Sequence, residues 1–428
     1  MKTVLPFNEP WYRRIMGFAV VLGVAGGVLG LVYLSATGAI IDLFFDDAGT
    51  ALWSGEWWWI PLIAFGGLIV AGLRRAWHVP DKVPGGVALI EAADVDHRTA
   101  PQWVAISAVS AVVGASLGPS FALVLMGGGL GSWIVSRRWA ESDAAEEYTL
   151  TGIAGGFGAA FTSPVLGAFL VSELAPTPKQ RYASSIMPQL IAATVGFIIF
   201  YAVAGRTFLG IYELPNYEFE IIDMAIAAAL GVLAAAVMAV FVGVIIAVRW
   251  ATGLVSNRYV LGVVGGGIVG FIAFSLPLTL GAGQSQLGTV IENAPTFSIG
   301  LLVAVLVAKM VAMALSLAVG FMGGNVFPMI FMGGTAGVIV HLIVPDIPAA
   351  LAVSCMLAAV PGSYLRAPIS MTFIAAIAVS LDPRTTAPVA VAVITSFLTV
   401  SVIRYTITTR NQAAATSDGI GEAAAGPS

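Results

Sequence analysis

Gly118-Pro119-Ser120-Phe121-Ala122-Leu123-Val124-Leu125-Met126-Gly127-Gly128-Gly129-Leu130-Gly131 has a second copy in the same chain, Gly324-Asn325-Val326-Phe327-Pro328-Met329-Ile330-Phe331-Met332-Gly333-Gly334-Thr335-Ala336-Gly337, displaced by 206 positions without a gap. The pairs Gly118/Gly324, Phe121/Phe327, Met126/Met332, Gly127/Gly333, Gly128/Gly334 and Gly131/Gly337 are identical. Each copy is a Gly/Pro-broken start followed by an apolar run. A helix opening at such a break leaves backbone N–H groups without acceptors, which favours anions. Matching broken segments in two halves of a membrane chain point to a binding site near the bilayer midplane.

The surroundings make this a membrane chain. Of 428 residues, 58% are hydrophobic and 10% charged, with a mean hydropathy of +0.95. A soluble domain of this length could not cover its surface with so few polar groups. Apolar runs long enough to cross a bilayer recur along the sequence. The expected class is an all-α multi-pass membrane protein. The 49 glycines predict closely approaching helices and broken, re-entrant segments, tolerated where the freed backbone is buried in protein or lines a cavity. A net charge of −4 and the lack of a basic cluster argue against nucleic acid. Cys355, the single cysteine, excludes an intrachain disulfide. His78, His97 and His341 are scattered without metal-ligand spacing, and no enzyme constellation is present. No metal or cofactor is expected.

Residues 1–14 are polar and carry Lys2, Arg13 and Arg14. The first apolar run, Ile15 to Leu34, is too long for a signal peptide and reads as a retained span. The next runs from about Trp57 to Arg74-Arg75, with acidic residues between the two. That alternation puts the N-terminus in the cytoplasm, in a cell (plasma) membrane, with Trp53, Trp57, Trp58 and Trp59 belting the opposite interface. The transmembrane region is read as 15–410, with a first repeat of about 76–204 and a second of about 221–410. The Ala/Gly/Ser-rich tail, 411–428, reads as disordered and leaves no soluble C-terminal domain. Gly158 to Pro164 answers Gly362 to Pro368 at an offset of 204, so order and spacing persist in both halves. An odd number of crossings per half would make the repeats inverted.

This layout resembles the CLC family of chloride channels and chloride/proton antiporters. Gly323-Gly324-Asn325-Val326-Phe327-Pro328 is similar to the family's G-G-x-F-x-P selectivity loop. Phe161 to Gly167, with Glu173, is similar to its N-A-P-L-A-G segment, and Arg366-Ala367-Pro368-Ile369-Ser370 to its A-P-L-T segment. The G-R-E-G-P loop has two registers. Ala115 to Pro119 keeps a terminal Gly-Pro. Gly118 to Ala122 keeps the downstream glycines and the ungapped repeat, and is the register adopted here. The family's gating glutamate then falls on Ser120, or on Leu117 in the other register, and in neither on a carboxylate. The proton-relay glutamate falls on Leu174 by strict counting; Glu173, one position earlier, sits about 100° round the helix.

The resemblance implies a CLC-type fold of two helical repeats, inverted, with broken re-entrant helices. It implies a chloride or small-anion site at Gly118, Ser120, Phe121, Gly324, Asn325, Val326 and Phe327. Gly85 and Gly86 stand for its first selectivity loop, and Tyr405 for its late anion-touching tyrosine. Glu173 is the one candidate for a proton pathway. A homodimer with one pore per subunit, in contact with lipid, is implied as well. Serine does not titrate near neutral pH, but its hydroxyl can donate to an anion, so passive chloride conduction is expected. Proton-coupled antiport, transport of fluoride or another anion, and a transport-inactive structural homologue are the alternatives. Lys309 and Arg366 are open between pairing with carboxylates and adding positive potential to a vestibule.

Overall fold

The computed structural model describes residues 5–45, 55–138, 145–161, 163–175, 181–205, 209 and 212–424. The apolar runs become helices, broken where Gly and Pro predict. In chain order they are α1 Pro10–Phe45, α2 Trp59–Ala76, α3 Gly86–Ala92, α4 Ala100–Val112, α5 Ser120–Arg138, α6 Ala145–Ala160, α7 Pro164–Leu174 and α8 Tyr182–Ala204. The second half holds α9 Ile222–Gly253, α10 Arg258–Ser275, α11 Gln284–Glu292, α12 Ile299–Val319, α13 Val326–Ile343, α14 Ala349–Tyr364, α15 Pro368–Ala378 and α16 Pro383–Ala424. No strand occurs among the described residues, where one isolated bridge joins Gly118 to Gly324.

The halves match helix for helix. α2 and α10 have 18 residues each, α6 and α14 have 16, and α7 and α15 have 11. Packing is duplicated too. α6 touches α1, α5 and α8, as α14 touches α9, α13 and α16. Equivalent helices also meet across the halves, α2 against α10 and α7 against α15. These self-pairings mark a two-fold relation. α1 and α2 precede the motif-bearing helices of their half as α9 and α10 do, and α1 packs on α6 as α9 packs on α14. Those pairs share packing but no motif.

Among the described residues, eight helices are long and apolar enough to cross a membrane, α1, α2, α8, α9, α10, α12, α13 and the Pro383–Thr406 part of α16. Their outward faces are apolar, with Val32, Ile246, Trp250, Phe271 and Leu398 all exposed, as lipid contact requires. Helices α4, α7, α14 and α15 are shorter. α14 is buried almost throughout, which is where a short broken helix is tolerated at membrane depth.

The repeated glycines serve one packing task in each half. A Cβ at Gly127 would overlap the Gly152 carbonyl and one at Gly131 the Tyr148 carbonyl, seating α5 on α6. A Cβ at Gly333 would likewise overlap the Met356 carbonyl and one at Gly337 the Val353 backbone, seating α13 on α14. Backbone-to-backbone contact of this kind is how small residues hold membrane helices together.

Two expectations change. Trp59 is 1% exposed and packs edge-on against Phe45 at 5.3 Å. It belongs to the core, not to an interfacial belt; Trp57 is 70% exposed, and Trp53 lies outside the described residues. The 411–428 tail is helical as far as Ala424, in keeping with the high helix propensity of its alanines.

Candidate anion site

The site is built where the two copies of the opening stretch meet. The Gly118 N–H donates to the Gly324 carbonyl at 2.8 Å, and the Gly324 N–H donates to the Gly118 carbonyl at 2.6 Å. Two residues beyond each glycine a helix begins, α5 at Ser120 and α13 at Val326. Pairing the loops thus brings two helix N-termini, with their orphan N–H groups and positive dipole ends, to one place. The fit is tight. A Cβ at Gly324 would overlap the Ser120 hydroxyl, and one at Gly323 would press on Leu117.

A cavity of about 230 Å³ opens at these helix starts. Ser120, Gly324, Asn325 and Val326 line it from the paired loops, and Gly85 and Gly86 from the start of α3. Val124, Phe157, Leu170 and Leu174 supply apolar wall. Ser120 is 5% exposed and its hydroxyl makes no hydrogen bond among the described residues. Asn325 is the N-cap of α13 yet its side chain caps nothing. Both side chains are therefore uncommitted polar groups on a buried wall. Tyr364, Glu91, Arg366 and Arg404 also line it, and Tyr364, Arg366 and Arg404 are exposed. Arg366 Nε lies 4.0 Å from a Glu91 carboxylate oxygen.

The remaining sequence-derived residues divide clearly. Gly118 is buried in the loop pair. The side chains of Phe121 and Phe327 are buried and do not line the cavity. Phe327 stacks on Phe161 with centroids 6.0 Å apart. Only backbone from these two could serve the site. Tyr405 is 72% exposed and away from the cavity. Its neighbour Arg404 lines the wall instead, since one residue on a helix turns the side chain by about 100°. A tyrosine that does line the cavity is Tyr364, at the end of α14. It lies inside the repeated Gly362–Pro368 stretch, but the motif itself does not single it out.

The same rotation separates Leu174 from Glu173. Leu174 lines the cavity. Glu173 turns to α15, accepting the Ile369 N–H at 2.9 Å and the Ser370 N–H at 2.7 Å. It is the carboxylate cap of that helix, at the end where negative charge is favoured. Lys309 is fully buried on α12 and donates to the carbonyls of Thr279, Leu280 and Gly281 at 3.0, 3.4 and 2.6 Å. Its Nζ lies 5.1 Å from the Phe331 ring centroid. So Lys309 is satisfied by backbone, and Arg366, paired with Glu91, is the one of the two at the cavity.

The sequence model of the family described as "Voltage gated chloride channel" matches residues 81–401. A "Putative ion-transport protein YfeO" from Escherichia fergusonii is 26% identical over 348 residues, covering 79% of this chain and 81% of that protein. The protein of the same description from Salmonella newport is 23% identical over 347 residues, covering 79% and 82%. Among solved structures, a slow cyanobacterial Cl−/H+ antiporter superposes with a TM-score of 0.78 at 18% identity, covering 94% of this chain and 98% of its own. A CLC-type fluoride/proton antiporter superposes with a TM-score of 0.73 at 17% identity, covering 90% and 95%. The two-repeat membrane fold is the one these transporters have.

Proposed function

The chain belongs to the voltage-gated chloride channel (CLC) family, and from that membership we propose that it conducts chloride, or a similar small anion, passively and without exchanging protons. It is an integral membrane protein and an anion transporter, not an enzyme. The observation that carries the passive reading is Ser120. It opens α5, lines the cavity, and stands where the resemblance puts the gating glutamate.

In this reading the anion sits between the starts of α5 and α13. Backbone N–H groups there, with the Ser120 hydroxyl and the Asn325 amide, take the place of its hydration shell. The apolar wall keeps the local dielectric low and strengthens each of these contacts. Gly85 and Gly86, lacking side chains, let backbone approach from α3. Proton exchange would need a titrating group beside the anion. At the paired loops there is a serine, the wall carries Leu174, Glu173 is engaged as the cap of α15, and Glu91, the carboxylate in the lining, faces Arg366.

A second reading, proton-coupled antiport, is favoured by the fact that both solved structures described above are proton antiporters. Purified protein in liposomes separates the two. Under a chloride gradient, the passive reading expects chloride movement that sets the voltage at the chloride equilibrium potential and moves no protons. Proton uptake in fixed ratio to chloride overturns it. Fluoride flux without chloride flux changes the substrate, and no flux of either anion supports a transport-inactive role.

The remaining assignments are part of the proposal. The N-terminal segment 1–14 lies in the cytoplasm, since Arg13-Arg14 and Arg74-Arg75 fall at the ends of α1 and α2 that share one side of a cell (plasma) membrane. The protein is a homodimer bathed in lipid.

A further inference from the structure

The exposed end of the cavity has its own chemistry. Of the lining residues, Ser120 is buried, whereas Arg366 and Arg404 are exposed. Glu91, on the last turn of α3, is the one carboxylate among the described lining residues.

Arg366 is the better placed of the two for a passing anion. It sits in the short link between α14 and α15. Its contact to Glu91 is single-ended, Nε to one oxygen at 4.0 Å, with side chains 72% and 40% exposed. Its two terminal nitrogens have no partner among the described residues, so the planar donor fork remains open. Glu173, the other nearby carboxylate, is held by the Ile369 and Ser370 N–H groups. Glu91 is thus the counterion of Arg366, and a loose one. An exposed pair at such a separation exchanges partners readily.

We propose that Arg366 captures the anion at the mouth of the cavity, and that Glu91 competes with the anion for Arg366 and so sets the rate of entry. The inference rests on the transport reading above. Its ligand class is a small inorganic anion. Arg366 concentrates anions at the mouth; Glu91 offsets that attraction and is displaced when an anion arrives.

The test is chloride efflux from liposomes containing wild-type protein, Glu91→Gln, Arg366→Gln or the double variant. Each is measured at low ionic strength and again with added potassium isethionate. Screening shortens from ~30 Å at 0.01 M to ~8 Å at 0.15 M. At low ionic strength Arg366→Gln is expected to slow efflux about tenfold and Glu91→Gln to speed it about threefold, and both effects shrink at high ionic strength. In the Arg366→Gln background, Glu91→Gln is expected to add little. Wild-type efflux in Arg366→Gln at low ionic strength overturns the inference, as does an undiminished Glu91→Gln effect without Arg366. Both side chains are exposed, so folded protein is expected, and a single symmetric gel-filtration peak checks it. Absence of efflux from wild-type vesicles overturns the transport reading, and this inference with it; normal wild-type efflux with indifferent variants overturns the inference alone.

Discussion

Gly118 and Gly324 exchange both of their backbone hydrogen bonds, at 2.8 and 2.6 Å, although 206 positions separate them. Each is the first residue of its copy of the repeated stretch. The contact between the halves is therefore a contact between equivalents, and it sets the starts of α5 and α13 side by side. Gly324→Ala would drive a Cβ into the Ser120 hydroxyl. Chloride flux in that variant is expected to fall at least tenfold while the membrane fold survives, as judged by gel filtration in detergent. Wild-type flux would show that the loop pair does not need this closeness.

Ser120 offers a graded test of the anion site. Ser120→Ala removes one hydroxyl donor, with a net loss of about 1 kcal/mol. That corresponds to roughly a fivefold weaker apparent affinity for chloride, readable by calorimetry. Ser120→Glu puts a carboxylate among the groups proposed to hold the anion. Its charged form competes with chloride and its protonated form does not, so flux should be suppressed at neutral pH and recover as pH falls. A pH-independent Ser120→Glu variant would remove Ser120 from the anion path.

Diffraction from crystals soaked in bromide should give anomalous density between Ser120 and Val326. Density only beside Arg366 would move the principal site to the mouth.

Glu173 should behave as a helix cap. Glu173→Ala leaves the Ile369 and Ser370 N–H groups without their acceptor, at a cost of about 1–3 kcal/mol. The melting temperature should drop while the chloride-to-proton ratio stays as in wild type. A changed ratio with an unchanged melting temperature would make Glu173 part of a proton pathway.

Lys309→Met tests the buried ammonium. Its loss strands the carbonyls of Thr279, Leu280 and Gly281, and an unsatisfied buried polar group costs about 1–3 kcal/mol. Lower yield and a lower melting temperature are expected. A more stable Lys309→Met protein would mean that burying the charge costs more than its three hydrogen bonds return.

Part of the site was legible because it is encoded locally. A Gly/Pro break before an apolar run marks a helix start whatever surrounds it, so Ser120 and Val326 could be read as first residues. Counting along one helix was enough to set Leu174 apart from Glu173. Where Tyr405 points could not be read that way. Which face of α16 meets the cavity depends on how that helix is rotated against its neighbours, and it is Arg404 that turns inward. Glu91 carried no signal at all, because its partner Arg366 lies 275 positions away.

What the sequence determined by itself is the membrane class, the duplicated architecture and the two helix starts, because hydropathy, repetition and Gly/Pro breaks act over short range. The tertiary structure decided that the two starts face each other through Gly118 and Gly324, that α2 packs on α10, that Glu173 caps α15, and that Glu91 lies beside Arg366. Each of these depends on which distant backbone comes close, and only packing fixes that.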